Sequence, residues 1–118
     1  MTTECIFCKI ARGEIPASMV YEDEHVIAFD DISPQTPVHA LIVPRAHFES
    51  MESDIPDEDL AAIFGAVQHV ARIKGVGATG YRVIVNNGRA ANQTVGHLHV
   101  HVMGGRAVAH GMVVLADE

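Results

Sequence analysis

The segment Gly96-His97-Leu98-His99-Val100-His101-Val102-Met103 narrows the folds open to this chain more than any other stretch. Histidine and aliphatic residues alternate in it without a break. Side chains on a β-strand point to opposite faces in turn, so an extended backbone sets His97, His99 and His101 on one face at ~7 Å intervals. Leu98, Val100 and Val102 then pack the opposite face. Three imidazoles in register have no ordinary packing use. They are a half-exposed polar strand face, a His-x-His pair offered to one zinc ion, or a site where an imidazole attacks as a nucleophile and leaves as a neutral group.

The rest of the chain supplies the layers such a strand needs. From Pro56 to Lys74, Leu60, Ile63, Phe64, Val67, Val70 and Ala71 recur at helical spacing. Asp57, Glu58 and Asp59 open this segment, and Arg72, Lys74 and Gly75 close it, which matches the helix dipole at both ends. Cys5 to Arg12 reads as a short helix stopped by Gly13. Val20–Glu22 and His25–Phe29 read as a hairpin across Asp23-Glu24, Ala40–Val43 as a buried strand, and Tyr81–Val85 and His97–Met103 as strands. Pro34 and Pro37 keep the intervening segment out of helix and central strand. The expected class is α+β, with a largely antiparallel sheet of about five strands, one long helix and a short N-terminal helix.

A chain of 118 residues, 48% of them apolar, supports one core, so residues 1–118 are read as one domain. No apolar stretch approaches the ~20 residues of a membrane span, and the first residues lack the basic start of a secretory signal. The expected location is the cytoplasm, with no membrane partner. A formal charge of −7 argues against gripping a nucleic-acid polymer by its backbone, but leaves room for a single nucleotide held by local donors.

Cys5 and Cys8 are too close in sequence to staple a fold. Their spacing suits two thiolates on one zinc ion, which needs two further ligands, and histidines are the available ones. A redox pair would be expected after a strand, and only four residues precede Cys5. Two unligated buried thiols are the remaining reading.

His97-Leu98-His99-Val100-His101-Val102-Met103 resembles the signature of the histidine-triad superfamily, and Gly104-Gly105-Arg106 is similar to its Hint-like nucleoside phosphoramidase branch. Cys5-Ile6-Phe7-Cys8-Lys9-Ile10, Gly13-Glu14-Ile15-Pro16, Phe29-Asp30-Asp31-Ile32-Ser33-Pro34-Gln35, His39, Pro44-Arg45-Ala46-His47 and Val85-Asn86-Asn87-Gly88 follow the family's order. The resemblance covers the chain nearly to Arg106.

It implies a homodimer whose two sheets join into one, and a hydrolase that cleaves purine nucleoside phosphoramidates through a nucleotidyl intermediate on His99. His97, Thr94 and His101 are grouped with His99 as the catalytic set. Asp31 is placed at the ribose hydroxyls. Ile6, Phe7, Ile10, Phe29 and Ile32 are placed around the base, and Asn86, Asn92, Gln93, Thr94 and His101 at the phosphate. His97 and His47 complete a structural zinc site with Cys5 and Cys8, and no metal is expected at the phosphate. The chain departs from the family at Arg89-Ala90-Ala91-Asn92, where glycine and acidic residues are commoner, and in the tail from Ala107 to Glu118, which lacks a tryptophan and proline pair. Cleavage of dinucleoside polyphosphates, a non-catalytic nucleotide-binding role and a catalytic zinc on all three strand histidines are the competing readings.

Overall fold

The computed structural model describes residues 5–108. The elements run α1 (Ile6–Ala11), β1 (Met19–Glu22), β2 (Val26–Asp30), β3 (Val38–Pro44), α2 (Asp57–Ile73), β4 (Tyr81–Ile84), a 3₁₀ turn (Arg89–Ala91) and β5 (Val100–Gly104). The strands form one antiparallel sheet in the order β1-β2-β3-β5-β4. The expected α+β class holds. No helix among the described residues is long and apolar enough to cross a membrane.

Alternation along the strands divides the apolar residues between two layers. Val26, Ala28, Ala40, Ile42, Leu98, Val100 and Val102 meet Ile63, Ala66, Val67 and Val70 of α2 on one face of the sheet. On the other face Ile27, Phe29, Leu41 and Val43 meet Phe7 of α1. α2 carries three acidic residues in its first turn and Arg72 in its last, as its charge pattern requires. Phe64, counted with the core face in the sequence, stands exposed. At about 100° per residue it falls on the flank of the stripe centred on Ile63, Val67 and Val70.

The boundaries differ most at the last strand. β5 begins at Val100, three residues later than the histidine pattern suggests. The ladder with β3 ends at the Ile42–Val100 pair, two residues before Pro44, which has no N–H to offer it. The Pro44 carbonyl instead faces Nε2 of His97 at 2.9 Å, and the Leu98 N–H donates to Phe48 O at 2.7 Å. Leu98 still packs under α2 and His97 is still buried on the other side, so the two-faced pattern outlasts the ladder. β3 starts two residues earlier than expected, at Val38, which brings His39 into the sheet.

Candidate active site

His97, His99 and His101 lie on the sheet face away from α2 and are all buried, which removes the reading as a half-exposed polar face. Each ring is oriented by a group whose hydrogen-bonding role is unambiguous. Carbonyl oxygens only accept, so His97 donates from Nε2 to Pro44 O at 2.9 Å, and His99 donates from Nδ1 to His97 O at 2.8 Å. The Nδ1 of His97 and the Nε2 of His99 therefore hold the lone pairs. A further histidine sets the third ring. The Gln35 N–H donates to Nδ1 of His39 at 3.0 Å, so Nε2 of His39 carries the proton and donates to Nδ1 of His101 at 2.9 Å. His101 is left with its proton on Nε2.

These assignments hold for neutral rings, and burial favours neutrality. It holds His39 and His99 below the ordinary imidazole value, and pushes His97 down to about 4 and His101 to about 3. His39 received no role from the sequence. A single histidine heading an apolar strand resembles an ordinary core residue. Its shared parity with Leu41 and Val43 was the available hint, and pairing β3 beside β5 turns it toward His101.

Asp31 is buried directly after β2. Its Oδ1 accepts the Ser33 N–H at 2.8 Å, so the turn-forming role is present. Its Oδ2 lies 3.4 Å from His39 Nε2 and has no hydrogen bond among the described residues. Phe7 and Phe29 meet edge-on, with centroids 5.6 Å apart, and Phe7 also meets the ring of His99 at 5.3 Å. Ile10 is half-buried beside them, while Ile6 and Ile32 are exposed at 47% and 97%. The five apolar slot residues thus split into a packed wall and an open rim.

Asn86 is half-buried just past β4. Asn92 adopts a left-handed conformation and closes the 3₁₀ turn by donating its N–H to Arg89 O at 2.9 Å. Gln93 is committed to the loop itself. Its N–H reaches Gly88 O at 3.1 Å, its Oε1 accepts the Gly88 N–H at 2.8 Å, and its Nε2 donates to Glu49 O and Val95 O. The amides of Asn92 and Gln93, expected as phosphate donors, are thus used inside the loop. Thr94 stands exposed on a cavity of about 650 Å³, shared with Glu49, Ser50, Arg89, Asn92 and Gly96.

Residues far apart in the chain form a second group. The donor atoms of Cys5, Cys8, His47 and His97 all lie within 4.8 Å of one another. His97 Nδ1 is 3.2 Å from Cys5 Sγ, 3.5 Å from Cys8 Sγ and 3.2 Å from His47 Nδ1. Two sulfurs and two imidazole nitrogens at this closeness suit a tetrahedral zinc ion, and the Pro44 carbonyl already holds His97 in the ligating tautomer. Burial pushes the Cys8 thiol up to about 11, with the neighbouring Cys5 adding to the effect, so a cation is what would draw out the thiolate. A single ion shared by His97, His99 and His101 finds no support, because among the described residues the donor atoms of these three rings do not gather into one group.

Residues 12–108 match the HIT domain family. The chain belongs to that family. A relative from Escherichia coli, named a purine nucleoside phosphoramidase, is 42% identical over 109 residues, covering 90% of this chain and 91% of its own. A histidine triad protein from Clostridium difficile superposes on the present HIT fold with a TM-score of 0.86 and 43% identity, over 95% of this chain and 99% of that one. A zinc-bound histidine triad family protein from Mycobacterium smegmatis gives a TM-score of 0.78 at 39% identity, over 87% of this chain and 76% of that one.

Proposed function

We propose that this HIT protein hydrolyses purine nucleoside phosphoramidates, with His99 as nucleophile. The observation that carries the reading is the 2.8 Å contact from His99 Nδ1 to the His97 carbonyl, which leaves Nε2 with its lone pair on a ring kept neutral by burial. Such a ring attacks phosphorus without first losing a proton. The activity named for the relative that is 42% identical supports the substrate class.

In the proposed reaction Nε2 of His99 attacks the α-phosphorus. The new N–P bond forms as the P–N bond to the amine breaks, and the amine departs with a proton taken from solvent, which the attacking water of the second step gives back. Water then attacks the nucleotidyl-histidine, releasing nucleoside monophosphate and returning the electron pair to Nε2. The Nε2–H of His101 faces the phosphate oxygens and stabilises their charge, with Thr94 and Asn86 as further contacts. Gln93 acts by holding the loop, and Asn92 by turning it. Asp31 receives the ribose, and Phe7, Phe29, Ile10, Ile6 and Ile32 receive the base. Cys5, Cys8, His47 and His97 would hold a zinc ion, which would crosslink α1 to the segments before α2 and β5, with no step at phosphorus running through it.

The deciding experiment is turnover of an adenosine phosphoramidate carrying a fluorescent amine, in wild type and His99→Ala. Wild-type turnover that the substitution abolishes, with AMP still bound, is the expected result. An inactive wild type that binds AMP tightly would replace this reading with a non-catalytic one. Turnover confined to dinucleoside polyphosphates would keep the nucleophile and change the substrate.

A further inference from the structure

We propose that the Cys5, Cys8, His47 and His97 site positions the nucleophile, so that metal occupancy governs the tautomer and orientation of His99. The inference rests on the readings of His99 as nucleophile and of the four-donor cluster as a zinc site. Two independent links join the cluster to that ring. The first runs through one residue. His97 offers Nδ1 to the cluster, and its own carbonyl accepts the His99 Nδ1–H at 2.8 Å. The β3–β5 ladder starts only at Val100, so the carbonyl of residue 97 lies outside it. The ring of His97 takes the place of the ladder, held at one end by Pro44 O and at the other by the cluster.

The second link is Phe7. It sits between the two cysteines on the six-residue α1, and its ring packs edge-on against both His97 at 5.8 Å and His99 at 5.3 Å. A helix this short has little stability of its own. A crosslink from Cys5 and Cys8 to His47 and His97 adds to the packing on Ile27, Phe29, Leu41 and Val43 that holds the Phe7 ring over the nucleophile. Cys8 and His47 are thereby positioning residues for His99.

The cluster is also open to exchange. His47 is exposed, and a cavity of about 390 Å³ lined by Cys5, His47, Glu49 and Thr94 reaches the donor side. Zinc can enter and leave without separating β3 from β5. When it leaves, Nδ1 of His97 meets only the two sulfurs, at 3.2 and 3.5 Å, and the His47 ring at 3.2 Å, and those are weak contacts.

The test uses the full chain labelled with ¹⁵N in its histidines, stripped with a chelator and titrated with zinc, with metal content measured in parallel. The His99 signals are assigned by their loss in His99→Ala. With zinc bound, His99 should show a slowly exchanging Nδ1–H and an unprotonated Nε2. Stripping should broaden both and lower kcat about tenfold, with KM within about twofold. Cys8→Ser, checked for native sheet signals, should show the stripped spectrum at zinc concentrations that saturate the wild type.

Zinc binding at one per chain with no change in the His99 signals would overturn the inference and leave the metal site standing. No zinc uptake at all would overturn it together with the metal reading. Unimpaired turnover by His99→Ala would remove the nucleophile, and the inference with it.

Discussion

At the scale of single residues, the site depends on backbone groups that decide where protons sit. Gln35 N–H, Pro44 O and His97 O each assign one imidazole nitrogen as donor or acceptor. His39 is the residue in which this matters most, because it passes the Gln35 assignment on to His101. His39→Leu removes the donor to His101 Nδ1 and should lower kcat about 100-fold with little change in KM. His39→Gln keeps an amide N–H for His101 and an oxygen for Gln35, and should restore much of the rate. Steady-state kinetics of the two variants check this. Equal losses in both would mean that His39 serves packing alone.

Among the elements, β4 is one of the two strands, with β1, that end the sheet among the described residues. It pairs with β5 on one side and ends the sheet on the other, and its Tyr81 and Val83 are each 37% exposed on the side that α2 covers elsewhere. An open edge with apolar side chains is a template for another strand. We propose that a second copy of the chain pairs there, as the family resemblance implies, joining two sheets into one. Val83→Lys should give a monomer in sedimentation velocity at concentrations where the wild type is a dimer. A wild-type monomer would place the edge against something else. The tail from residue 109 onward, whose lack of tryptophan and proline was noted in the sequence, lies outside the described residues.

For the molecule as a whole, burying four neutral imidazoles ties folding to pH. Burial lowers the native values of His39, His97, His99 and His101, while the unfolded chain titrates near 6.5. Between those limits the unfolded state binds protons that the native state refuses, so stability is full above about pH 6.5 and falls as pH drops toward the native values. The urea midpoint of chelated protein should decline from pH 7 to pH 5, before most carboxylates titrate. His101→Leu should flatten part of that decline, and a midpoint constant across the interval would contradict the burial argument. The sequence by itself determined the two-faced histidine strand, the amphipathic long helix and the antiparallel class, because periodicity and charge at helix ends are local properties of the chain. It also carried the family motifs. Only the tertiary structure decided that β3 lies beside β5, which gives His39 its partner, and that Pro44 ends their ladder and leaves a carbonyl for His97. The meeting of Cys5 and Cys8 with His47 and His97 was implied by the family resemblance, and the structure shows it as geometry, since such contacts join residues far apart in the chain through strand order, which no local pattern records.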